Sequence, residues 1–179
     1  MENAHLSLAR RLAGLFSRLP QVEAVALGGS RGGAGVGTDA ASDIDVYVYT
    51  RGEIPLAARE GIVEAAGGAT RADLGMSFWG PGDEWLHAPT GIHVDAIYFD
   101  AAWMEEQLDR VLVRHEASLG YTTCFWHTVR GSVALEDSRG WFAGLQARCA
   151  VAYPEELRCA IVALNHPVLR DVLPAFANQ

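Results

Sequence analysis

Apolar positions along the 179 residues fall into short runs of two kinds. Residues 6–18 (LSLARRLAGLFSR) repeat at helical spacing, with Pro20 beyond the end, and predict a helix. Residues 22–27 form a short run that reads as a buried strand, and 28–41 form a glycine-rich loop. Residues 44–49 (IDVYVY) alternate β-branched and aromatic side chains, the strongest strand signal in the chain. Residues 55–66 predict a helix with Pro55 in its first turn and Gly67-Gly68 as its stop. Residues 71–79 read as a weak strand, 80–91 as a loop and 92–99 as a third main strand. Asp100 is placed to cap a helix over 101–117. Beyond it the pattern reads as helical only: 119–130, 138–151, 154–165 behind Pro154, and a short piece from 167. The expected class is α+β: a small mixed β-sheet flanked by helices over 1–117, followed by a helical C-terminal subdomain over 118–179.

Composition narrows the chemistry. All fourteen basic residues are arginine. The absence of lysine excludes a Schiff-base lysine, a Gly-Lys-Ser/Thr phosphate loop and the kinase strand lysine. No apolar run approaches the roughly 18 residues of a membrane span, and the N-terminal MENAHLSLARR lacks the apolar core of a leader. Cys124, Cys149 and Cys159 are odd in number and scattered, which fits reduced thiols in a cytoplasmic protein. Residues 38–109 hold fourteen acids and three arginines, −11, and the rest holds eight acids and eleven arginines, +3. An acidic middle argues against a duplex nucleic-acid partner and suits cations. Most acids there, outside the candidate ligands below, are expected to be solvated surface.

Three segments carry candidate chemistry. In a strand, side chains alternate faces, so Asp43 and Asp45 of Ser42-Asp43-Ile44-Asp45 point the same way. Adjacent carboxylates repel unless a proton or cation intervenes, and oxygen donors suit Mg²⁺. An edge strand with two solvated acids gives the same pattern. The run VALGGS takes a strand into Gly28, Gly29 and Ser30, with Arg31 next. Backbone N–H groups, the Ser30 hydroxyl and the Arg31 guanidinium are suited to phosphate oxygens, and a flexible loop reads the same way. Gly35–Ala40 matches G-x-G-x-x-A, but it opens into a strand, the wrong context for a dinucleotide fold. Asp95 sits mid-strand among apolar residues, a costly place without a partner. Beside 44–49 it would complete a three-carboxylate cluster. His93, two residues earlier, shares its face and reads either as a substrate contact or as a structural histidine.

Gly-Gly-Ser after a strand, Asp-x-Asp leading the next strand, and one Asp in a later strand resemble the DNA polymerase β-like nucleotidyltransferase superfamily. The residues carrying the resemblance are Gly29, Ser30, Asp43, Asp45 and Asp95, within about residues 20–100. Downstream, GYTTCFWHTVRGSVALEDSRGW and YPEELRCAI are similar to a group of bacterial nucleotidyltransferase-domain proteins. The resemblance implies Mg²⁺-dependent transfer of a nucleoside monophosphate from an NTP, ATP first among them, to a hydroxyl, with pyrophosphate released. It implies that Gly28, Gly29, Ser30 and Arg31 hold the triphosphate, that Asp43 and Asp45 hold two Mg²⁺ ions, and that Asp95 holds the catalytic ion or takes the acceptor proton. Antibiotic-modifying relatives make a small molecule the first expectation for the acceptor, with a protein hydroxyl next. The loop from Ser30 to Asp43 is about two residues longer than the family pattern, and 118–179 is short for its helical region, which makes a homodimer the expected assembly. The alternative is a binding or antitoxin-type partner protein with weak or no catalysis.

Other candidates are weaker. Cys124 and His127 form C-x-x-H, yet a zinc site needs four closer ligands. Trp79 and Trp85, in the predicted loop, are placed to stack on a ring or to pack in the core. Arg110 and Arg114 with Glu106 read as a solvated ladder or as triphosphate contacts.

Overall fold

A computed structural model describes residues 4–29, 43–77 and 80–176. Ser30, Arg31 and Trp79 lie outside the described residues. Helix α1 (Ala4–Phe16) leads into β1 (Val22–Leu27), and β2 (Ile44–Thr50) follows. Helix α2 (Leu56–Ala66), β3 (Ala69–Met76), β4 (Gly82–His87) and β5 (His93–Asp100) come next. The chain continues through α3 (Ala101–Leu112), α4 (Cys124–Gly131), β6 (Val133–Glu136), α5 (Trp141–Cys149) and α6 (Glu155–Phe176). No helix among the described residues is long and apolar enough to cross a membrane.

The described strands form one mixed sheet in the order β3-β4-β5-β2-β1-β6. Only β2 and β5 run parallel; the other neighbours are antiparallel. Alternation gives each strand two faces, and each face buries a cluster. Val25, Leu27, Ile44, Val46, Val48, Val94 and Ala96 pack under α1 and α2. On α1 the contacts are Leu8, Leu12 and Phe16, four residues apart on one stripe. The opposite face, from Ala24, Ala26 and Tyr49, packs under Met104 and Leu108 of α3, Trp126 of α4, Phe142 and Leu145 of α5, and Leu157 of α6. These helices cover one end of that face and leave the end near Asp45 and Asp95 half-buried.

Four sequence expectations need correction. Residues 80–91 are not wholly loop: Gly82–His87 is a strand between β3 and β5. Its acids and the preceding Pro81 have low strand propensity, and tertiary contacts override it. Asp83, buried, accepts from Arg59 Nη1 at 2.8 Å, Tyr98 Oη at 2.6 Å and the Gly75 N–H at 2.7 Å. The helix expected over 101–117 ends at Leu112, because His115 takes a left-handed φ of 53°. Its start is as expected, with Asp100 Oδ1 accepting from the Trp103 N–H at 2.8 Å. The chain beyond 118 is not only helical, since Val133–Glu136 joins the sheet against β1. Finally, the two helices expected at 154–165 and from 167 are one, running through Pro167.

Candidate functional site

The parallel pairing of β2 with β5 sets the site. Its register puts Asp45 opposite Asp95, Tyr47 opposite Ile97 and Tyr49 opposite Phe99. In-register residues of neighbouring strands share a face about 4.8 Å apart. One face therefore runs from acidic to apolar along both strands. Asp43, just before β2, joins the acidic end. His93 Nδ1 lies 3.5 Å from Asp43 Oδ1 and 3.9 Å from Asp95 Oδ2. Asp43, His93 and Asp95 each offer a ligand atom within 4.8 Å of the others, the one such group of three among the described residues. Asp45 adjoins them, close enough for Asp43, Asp95 and His93 to act on its charge.

β4 adds a group that sequence reasoning missed. Glu84 lies opposite Asp95, and its Oε1 is hydrogen-bonded to His93 Nε2 at 2.7 Å. The signal was present: in DEWLH, period two puts Asp83, Trp85 and His87 on one side and Glu84 and Leu86 on the other. Reading 80–91 as loop hid it.

Two glycines fit around this cluster because they lack a side chain. Gly28 donates its N–H to the Asp45 carbonyl at 2.9 Å. A Cβ on Gly28 would lie 2.0 Å from the Tyr47 ring, and one on Gly29 would lie 1.8 Å from Asp45 Oδ2. Gly29 also has φ 60°, the left-handed region that glycine tolerates. The backbone thus passes directly against the Asp45 carboxylate.

Crowding shifts the titrating groups. Burial raises the Asp45 carboxyl above its ordinary range, and Asp43 raises it further while His93 opposes. Burial likewise raises Asp95; His93 pulls it down, and Asp45, Glu84 and Asp43 push it up. Burial would lower His93, but its hydrogen bond to Glu84 and the charges of Asp95 and Asp43 outweigh that and raise it. The face is an electronegative cluster in which, among the described residues, His93 is the neighbouring group able to take a positive charge.

The remaining candidates separate from the site. Trp85 is 2% exposed in the core under α1 and α2, on the opposite sheet face, so it is not a stacking platform. Arg110 and Arg114 form the ladder, bonded to Glu116, with Arg110 also on Gln107 and Arg114 on Glu106. Cys149 is buried and Cys159 exposed, and neither belongs to a ligand group with Cys124 or His127 among the described residues. A cavity of about 230 Å³ opens beside Asp45 and Asp95, bounded by Met76, Gly80, Pro81, Gly82 and Ile97. No protein-family model matches this chain, and no characterised protein matches it significantly.

Proposed function

We propose that this protein is a Mg²⁺-dependent nucleotidyltransferase, moving a nucleoside monophosphate from an NTP to an acceptor hydroxyl. The observation that carries the reading is Asp45 in register with Asp95, with the Gly29 backbone packed on the Asp45 carboxylate. The donor set suits the metal: Asp43, Asp45 and Asp95 are hard oxygen ligands, and their mutual repulsion favours a divalent cation. Mg²⁺, when bound, would neutralise phosphate charge and make the acceptor hydroxyl more acidic.

The chain's own groups have separate tasks. Gly29 is exposed and has no side chain, so a polyphosphate can approach its backbone closely, and buried Gly28 holds the turn against Tyr47 and the Asp45 carbonyl. Asp43 and Asp45 would hold Mg²⁺ arriving with the triphosphate. Asp95 takes the acceptor proton as the hydroxyl oxygen bonds to the α-phosphorus and the bond to pyrophosphate breaks. His93, held by Glu84, keeps Asp95 from accumulating the full repulsion of its neighbours.

Calorimetry with ATP, GTP, CTP and UTP, each with and without Mg²⁺, tests the reading. At least one NTP is expected to bind in a Mg²⁺-dependent way, and Asp45→Asn is expected to abolish that dependence while leaving the fold intact by circular dichroism. Absence of any Mg²⁺-dependent NTP binding to the wild type would overturn it. Binding without pyrophosphate release across a broad acceptor screen would favour a partner-binding role instead.

A further inference from the structure

The sheet order places the parts of the site in a line. Gly28 and Gly29 follow β1, the carboxylates stand on β2 and β5, and the cavity lies over β4 and the end of β3. Adjacent strands are about 4.8 Å apart, so β1 and β4 are separated by roughly 14 Å. In-line displacement puts the attacking oxygen and the leaving pyrophosphate on opposite sides of the phosphorus. With the polyphosphate at the β1 side, the attacking hydroxyl must arrive from the β4 side, where the cavity is.

The cavity has a definite character. Its volume is about 230 Å³, more than the roughly 150 Å³ that admits a benzene ring. Ile97, Met76 and Pro81 supply hydrocarbon, and Asp45 and Asp95 stand at one side. Gly82 opens the space: it is opposite Ile97 and on the same side of β4 as Glu84. Among the described residues, a Cβ on Gly82 would meet only the Ala96 carbonyl oxygen, at 3.4 Å, and the backbone there is not in the left-handed region. A side chain at 82 is therefore tolerated by the strand and would stand in the cavity. The carboxylates of Asp45 and Asp95 at its side disfavour an anionic occupant.

We infer that this cavity seats the body of the acceptor, and that the acceptor is a ring-bearing alcohol or phenol without negative charge whose hydroxyl reaches Asp95. The inference rests on the nucleotidyltransferase reading, but it is separable from it by experiment. Gly82 and Met76 are then specificity-determining residues. They set acceptor size without touching the polyphosphate.

Saturation-transfer NMR with benzyl alcohol and, separately, glycerol tests the cavity directly, alongside calorimetry with ATP and Mg²⁺. Wild type is expected to bind benzyl alcohol and not glycerol. Gly82→Val is expected to weaken benzyl alcohol binding at least tenfold and to leave ATP·Mg²⁺ affinity within twofold. Met76→Trp closes the cavity from its rim and is expected to do the same, which keeps the test valid should Gly82→Val unfold. Absence of benzyl alcohol binding, equal binding by both variants, or equal binding of glycerol each overturns the inference. Loss of ATP·Mg²⁺ binding in wild type with ring binding intact would instead overturn the proposed function. A tyrosine-containing peptide in the same assay separates a polypeptide source of the ring from a free small molecule.

Discussion

Replacing Gly29 with alanine tests the contact on which the candidate site is built. The added Cβ would lie 1.8 Å from Asp45 Oδ2, and real Cβ contacts essentially never fall under 3.0 Å, so something must move by at least 1.2 Å, the difference. Alanine at φ 60° adds about 1–2 kcal/mol of backbone strain. If Asp45 yields, its side chain leaves its rotamer at about 0.5–1.5 kcal/mol. The folded state then loses roughly 1.5–3.5 kcal/mol by adding these terms. For a chain of this size that is about 3–14 °C in Tm. The effect on function is of similar size, because displacing a working group by about 1 Å costs about a hundredfold. Thermal unfolding and ATP·Mg²⁺ calorimetry on the same preparation read both. A control is Gly14→Ala in α1, where a Cβ meets nothing within 4 Å; it should gain about 0.5–1 kcal/mol and leave nucleotide binding alone. A Gly29→Ala protein with wild-type stability and wild-type ATP·Mg²⁺ affinity would refute the packing of Gly29 on Asp45.

Three further outcomes are expected. Asp83→Asn removes the charge facing Arg59 in a buried pair, with side-chain exposures of 1% and 11%. The expected loss in urea unfolding is about 3–5 kcal/mol, and a loss under about 1 kcal/mol would contradict the buried network. Glu116 is held below the ordinary glutamate range by hydrogen bonds from Arg110 and then Arg114. Its stabilising contribution is therefore complete above the unfolded value and is lost as pH falls through the lower folded value. An NMR titration should show Glu116 moving upward in Arg114→Ala, and an unmoved value would remove the ladder. Burial pushes the Cys149 thiol up to about 11, whereas Cys159 is exposed. A thiol reagent at pH 8 should label Cys159 in the folded protein and Cys149 only on unfolding; equal rates would place α5 wrongly.

What the sequence made legible followed from local pattern. Residues 22–27 became a strand as a short apolar run and 44–49 because β-branched and aromatic side chains alternate there, and Asp100 became a cap because a short acid precedes an apolar helix. Asp43 and Asp45 share a side by the same period-two logic. The register of Asp45 with Asp95 was not legible, since it joins residues fifty positions apart through pairing that no local pattern encodes. β4 escaped for a different reason. Asp83 is an acid in a core position, tolerable only because Arg59, Tyr98 and Gly75 reach it from three other elements. Losing β4 also cost Glu84 and left Trp85 open between ring stacking and the core, where it lies. β6 is four residues long between helices, and it pairs because β1 offers an edge.

The distribution of charge now has a different meaning from the one its totals suggest. Six of the acids in the negative middle have assigned partners; the sequence predicts Asp100 as a cap and Glu106 in the arginine ladder, and the other four among solvated surface. Asp83 meets Arg59, Glu84 meets His93, and Asp100 caps α3. Glu105 accepts from Trp141 Nε1 at 2.6 Å, Glu106 pairs with Arg114, and Asp109 pairs with Arg148. The α3 acids are thus matched by Trp141, Arg114 and Arg148, all later in the chain. Exposed pairs of this kind contribute only about 0–1 kcal/mol each, so stability is not their main consequence. Their effect is on the field. Where α3 is neutralised, the surface no longer competes for cations. Asp43, Asp45, Glu84 and Asp95 stand together with His93 as their basic neighbour. Such a cluster attracts a cation to the end of β2 and β5. Such focusing needs no lysine.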